Sequence, residues 1–209
     1  MPLCLRPYPT LGVWKTEESA DQLLSLLEKK EEYLPFLEQC KSEGRKVERL
    51  AVRVLLKTLI GYEALVAYHP NGAPYIPGSS YNISISHTKG YVAVVLTDKK
   101  TPAGIDIEHH SERILKIRSR FLSEEENQIN NNDEASRLLL YWCAKETAFK
   151  MLGQEGVDFR KHLHVTPFRY AQEGKIIVSE TRTHSAASFS LEYRVTPEFA
   201  LTFSPPLLL

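Results

Sequence analysis

The sequence predicts an α+β fold of two similar subdomains, each a helix packed on a small antiparallel sheet. Three observations predict it. An amphipathic stretch after Gly44 is followed by two alternating segments about a Lys-Gly turn; the same helix-then-hairpin order returns, more weakly, in the second half; and Thr101-Pro102 breaks the chain between them. The 209 residues suffice for one sizeable domain or two small ones, so the reading is an N-terminal half over 1–100 and a C-terminal half over 101–209.

Each element has its own local reason. Ser19 and Gln22 stand at capping-box spacing ahead of Leu23, Leu24, Leu26 and Leu27, which predicts a helix near 20–30. In GRKVERLAVRVLLKTLIG, apolar Val47, Leu50, Val54 and Leu55 recur at three and four, and Gly61 supplies the stop of a helix over 46–60. Residues 82–97, NISISHTKGYVAVVLT, alternate on either side of Thr88-Lys89-Gly90 and read as a hairpin, after which AGIDIE begins a short strand. A helix over 134–152 ends in MLG as the earlier one ends in LIG, and 188–203, SFSLEYRVTPEFALTF, read as two strands about Thr196-Pro197-Glu198. Residues 123–133, SEEENQINNND, form an acidic, Asn-rich loop that starts as a short helix and is where mobility is expected.

Composition removes several classes of function. Lys plus Arg equals Asp plus Glu at 26 each, so no long-range field gathers nucleic acid or an anionic membrane. Cys4, Cys40 and Cys143 are odd in number and widely spaced, which suits neither a disulfide framework nor a zinc site and points to the cytoplasm. The apolar runs fall short of a membrane span, and MPLCLRPYPTLGVWK has no signal-peptide core.

The residues that could carry chemistry lie in a few places. Lys145, Glu146 and Lys150 belong to a helix that Leu138, Tyr141, Ala148 and Phe149 make apolar on one side and Leu140, Ala144 and Met151 on another. Charges beside so much apolar surface are costly unless partnered or metal-bound. The plain alternative is a Glu146–Lys150 pair at i, i+4, contributing about 0.3–0.5 kcal/mol. In GIDIE, Asp106 and Glu108 share one strand face while Ile105 and Ile107 point to the core, so with Glu146 they would make an all-oxygen site suited to Mg²⁺; the alternative is an exposed strand with alternating acids. Arg45, Arg49, Arg53 and Lys57 form a stripe whose usual meaning is a solvated face, and which would serve a polyanionic cofactor beside a metal site. Ser86-His87 ends a hairpin strand, Ser123-x-x-Glu126 is a capping box by spacing, and no Walker or Rossmann glycine loop is present.

Together, NISISHTKGYVAVV, GIDIE, RFLSEEE and WCAKETAFK resemble, in order and spacing, the motifs of the 4′-phosphopantetheinyl transferases of the surfactin-synthetase-activating type, from about residue 40 to about 153. The resemblance implies two α+β halves about a pseudo-twofold axis, with coenzyme A between them donating phosphopantetheine to a serine of an apo acyl or peptidyl carrier protein and releasing adenosine 3′,5′-bisphosphate. By motif position it implies Asp106, Glu108 and Glu146 as Mg²⁺ ligands and Lys145 and Lys150 near the phosphates and the arm; Glu146, on the metal or one water away, is then the best-placed base for the serine proton, directly or through that water. Glu126 matches an acid near the metal and the reacting serine. Arg45, Arg53, Ser86 and His87 match contacts to the phosphates of coenzyme A, Arg53 to the 3′-phosphate. Gly72-Ala73-Pro74 departs from the pattern, with alanine where the family often has a basic residue. A monomer is expected, since one chain holds both halves. The competing readings are a catalytically silent coenzyme A or carrier-binding homologue and a Mg²⁺-dependent pyrophosphohydrolase using the same carboxylates.

Overall fold

A computed structural model describes residues 3–4, 10–129 and 135–205. The chain divides into two units, one running to Thr101 and one spanning Pro102–Pro205. Both mix helix with antiparallel sheet, as an α+β fold requires. No helix among the described residues is long and apolar enough to cross a membrane.

The first unit contains β1 (Leu3–Cys4), β2 (Leu11–Lys15), α1 (Ala20–Ser25), α2 (Lys30–Glu38), α3 (Glu43–Ile60), β3 (Ala67–Tyr68), β4 (Pro74–Tyr75), β5 (Tyr81–Thr88) and β6 (Tyr91–Asp98). Its sheet runs β1-β2-β6-β5, and β3 pairs separately with β4. α3 begins at Ser42, whose hydroxyl accepts the Arg45 amide, and stops at Gly61, whose φ of 80° is left-handed. Leu50, Leu55, Leu56, Ile83, Val92, Val94 and Leu96 join helix to sheet in one core.

Ser19 and Gln22 form the expected capping box, but the helix they start ends at Ser25 and a second helix follows, where the sequence predicts one helix to about 30. The break has a physical cause: the amides of Glu28 and Lys29 turn to the Glu63 carboxylate at 2.6 and 2.8 Å instead of continuing the helix. Burial pushes Glu63 up, but these amides, the Tyr33 hydroxyl and Lys57 outweigh it and hold the carboxyl below its ordinary value.

The second unit contains β7 (Ile105–His109), α4 (Arg113–Ile117), a 3₁₀ turn (Arg118–Arg120), α5 (Glu124–Ile129), α6 (Ala135–Leu152), α7 (Phe159–His162), β8 (Leu163–Val165), β9 (Glu173–Glu180), β10 (Ser188–Val195) and β11 (Phe199–Phe203). The sheet order is β7-β11-β10-β9-β8, so GIDIE pairs with the last strand, Asp106 opposite Thr202. The strands β8 and β9 were not legible as a pattern. α6 packs on this sheet through a core that includes Leu138, Tyr141, Ala148, Leu191 and Ala200. Of the acidic loop, 124–129 are helical as expected; the expected mobility of 130–133 falls outside the described residues.

Candidate active site

The alternation of β7 works as the sequence predicts for its apolar residues: Ile105 and Ile107 are fully buried. Asp106 is buried too and Glu108 is half-buried, which removes the reading of an exposed strand with alternating acids. Across from them, Trp142, Glu146 and Lys150 stand four apart on α6 and so share one stripe. Lys150 Nζ donates to the Ile105 carbonyl at 2.7 Å and to Asp106 Oδ1 at 2.8 Å. Lys150 therefore pairs with Asp106, and the plain Glu146–Lys150 surface pair does not describe this helix. Trp142 Nε1 donates to Glu108 Oε1 at 3.2 Å.

Glu146 lies half-buried between these two contacts. Burial raises its pKa most, Asp106 and Glu108 add to the rise against the opposing pull of Lys150, and the carboxyl is pushed up to about 7. Glu108 and Glu146 open onto a basin of about 1140 Å³ that Trp142, Arg113, Arg120 and Arg160 also line. Among the described residues no three acidic, His or Cys side chains stand as a ready-formed metal cluster. The donor set nevertheless suits a hard cation: all donors are carboxylate oxygens, and the repulsion that raises Glu146 is what a divalent ion would relieve.

Two expected members of the site lie elsewhere. Lys145 is wholly buried, and its ammonium donates to Phe121 O at 2.8 Å, Phe159 O at 2.9 Å and Glu126 Oε2 at 2.6 Å. Glu126 closes the capping box with Ser123 as its spacing predicts, and it also accepts the Val165 amide at 2.8 Å. Neither faces the basin. An ammonium with its three donors on protein acceptors, and a carboxylate bonded on both oxygens, tie α5, α6 and β8 together. Cys143 is a free thiol sealed in the core, pushed well up by burial and by the neighbouring Asp106.

The basic residues of the first unit assemble around a smaller pocket of about 260 Å³, lined by Arg45, Arg49, Arg53, Tyr68, Ile85 and His87 among others. Arg45 Nη1 lies 2.8 Å from His87 Nε2 and 2.8 Å from Glu48 Oε2. His87 lines this pocket, whereas Ser86, the next residue back on β5, is on the opposite face of the strand from Ile85 and His87. Sequence reasoning missed Trp142 as the partner of Glu108, although its position four residues before Glu146 was a usable signal. It also missed α2, and with it the aromatic ring that meets Arg53.

Residues 102–204 match the family model of the 4′-phosphopantetheinyl transferase superfamily. The second unit is a domain of that superfamily. No curated protein matches the chain. The superfamily uses coenzyme A as substrate, typically with a divalent metal, and acts on carrier proteins. The transferase domain thus holds Asp106, Glu108, Glu146 and Lys150, and phosphopantetheine transfer is the general chemistry it supports. The surfactin-synthetase-activating subtype is a finer statement than this match makes.

Proposed function

We propose that this protein transfers the 4′-phosphopantetheine group of coenzyme A to a serine of an apo acyl or peptidyl carrier protein in a Mg²⁺-dependent reaction, acting as a cytoplasmic monomer. The observation that carries the reading is Glu146, half-buried beside Asp106 and Glu108 at the edge of an open basin in a transferase-superfamily domain. Asp106, Glu108 and Glu146 would hold the ion, which supplies neutralisation of the charge that phosphoryl transfer places on the diphosphate. Lys150 fixes Asp106 and adds a positive charge beside it. Trp142 holds one oxygen of Glu108. Glu146, with a proton affinity near neutrality, is suited to take the serine proton as the serine oxygen bonds phosphorus and adenosine 3′,5′-bisphosphate leaves. In the first unit, Arg53 and its neighbours suit the 3′-phosphate.

The test is the intact mass of an apo carrier protein incubated with this protein, coenzyme A and Mg²⁺. The expected result is one added phosphopantetheine group, lost when the carrier serine is replaced by alanine. An unchanged carrier mass with coenzyme A left intact would favour a silent binding homologue. Coenzyme A cleaved without any carrier modification would assign the same carboxylates to attack by water.

A further inference from the structure

Arg53 combines two properties that rarely coexist without a ligand or an aromatic face. It is only 4% exposed, yet it lines a pocket together with Arg45 and Arg49. Its Nη1 donates to the Arg49 carbonyl at 2.9 Å and Tyr68 lines the same pocket, while Nε is buried with no hydrogen-bond partner. A buried guanidinium with a donor left over is costly, and a neighbouring arginine one helical turn away adds repulsion.

Phe36, from α2, meets that problem directly. The Arg53 guanidinium carbon lies 4.6 Å from the centroid of its ring, and that of Arg49 lies 5.5 Å from the same centroid. One ring thus draws two like charges through its negative π-face. The ring is itself held by an edge contact with Tyr33, centroids 5.8 Å apart at 66°, and the Tyr33 hydroxyl donates to Glu63 at 2.9 Å. Nothing in the chemistry of a solvated basic stripe calls for this chain of contacts from α2 to α3.

We infer that Phe36 is a positioning residue for phosphate-monoester recognition, clamping Arg49 and Arg53 so that their guanidiniums are pre-set for an anion in the pocket. The inference rests on the reading of Arg53 as the contact to the 3′-phosphate of coenzyme A. Pre-setting matters because a guanidinium that must leave water and be ordered on binding loses part of its charge-assisted hydrogen bond.

The experiment is calorimetric titration of the full chain with coenzyme A and with 3′-dephospho-coenzyme A, for Arg53→Ala, Phe36→Leu and Phe36→Tyr, alongside melting scans. Arg53→Ala should weaken coenzyme A by about tenfold or more and leave the dephospho ligand nearly unchanged. Phe36→Leu, which keeps apolar volume and loses the π-face, should weaken coenzyme A about fivefold with the dephospho ligand again unchanged, and Phe36→Tyr should restore the difference between the two ligands. If Phe36→Leu does not fold, Phe36→Met, which has no ring, is held to the same result. Equal losses for both ligands in the Phe36 variants, or no loss, overturn the positioning role while Arg53→Ala still discriminates. If Arg53→Ala itself fails to discriminate, the pocket does not read the 3′-phosphate and both readings fall.

Discussion

Glu146 is the residue where burial, charge and chemistry meet. Its folded-state pKa of about 7 stands above the ordinary 4.5, chiefly through burial and then through Asp106. Between those pH values the folded chain holds a proton that the unfolded chain has released, so metal-free stability falls as pH rises through this window. Glu146→Gln removes the ionising group. Metal-free melting scans should therefore show the variant more stable than the wild type at pH 8 and equal to it near pH 4; a difference that ignores pH would remove the buried-carboxylate account. Mg²⁺ should raise the wild-type melting temperature at pH 8 more than that of the variant, because the ion favours the ionised form. Under the proposed function, single-turnover transfer by Glu146→Gln should drop by about 10² to 10⁴, the range usual for a general base. Near-normal turnover at saturating Mg²⁺ would eliminate Glu146 as that base.

Among the elements, α6 is held in two different ways. The buried Lys145–Glu126 pair, 2.6 Å apart, joins it to α5. Removing one partner strands a buried charge, so Lys145→Ala should cost about 3–5 kcal/mol in urea unfolding. Adding Glu126→Leu to it should recover part of that loss; a double variant less stable than Lys145→Ala would contradict the stranded-charge explanation. The second hold is close approach. A Cβ on Gly104, just ahead of β7, would sit 2.6 Å from the Thr147 carbonyl oxygen of α6 and 2.5 Å from Met151 Cγ. A Cβ on Gly12 of β2 would sit 2.6 Å from Leu55 Cδ1, the flexible end of a side chain on α3. Backbone cannot yield as a leucine tip can, so Gly104→Ala should cost about 1–3 kcal/mol and Gly12→Ala distinctly less. Equal costs in the same urea assay would show that the helix backbone moves freely away from the strand.

At the scale of the whole molecule, two opposed sets of carboxylates shape the pH dependence. Burial pushes Glu180 up, but the Thr183 hydroxyl and the amides of Thr183, Ala187 and Arg182 overcome it and hold the carboxyl down at about 2. Asp158, capping α7 through the Arg160 and Lys161 amides, is likewise held low. Groups depressed in this way contribute stability above their unfolded pKa values and lose it as pH falls through the folded ones. Glu146 works in the other direction from about 4.5 to about 7. The metal-free protein should therefore be most stable near about pH 5, losing stability on both sides, while saturating Mg²⁺ should extend the plateau past neutrality. Urea midpoints from pH 2 to 8, with and without Mg²⁺, check this. A metal-free midpoint that keeps rising to pH 8 would mean that Glu146 is ionised in the folded protein at no cost.

What the sequence determined by itself is local. The Ser19–Gln22 capping box, the α3 periodicity ended by Gly61, the hairpin about Lys89-Gly90 and the core positions of Ile105 and Ile107 in GIDIE each depend on residues within a few positions of one another, where backbone geometry dictates the pattern. Even the opposite faces that Ser86 and His87 take on β5 were within reach of strand alternation. The tertiary structure decided the pairings between distant positions: Lys150 with Asp106 across 44 residues, Lys145 with Glu126 across 19, and the Phe36 ring with the guanidinium of Arg53. A lysine carries the same charge at the mouth of a site and in the interior. Which of the two it occupies depends on the acceptors that other segments bring to it, and that is settled only when helix and sheet close on one core.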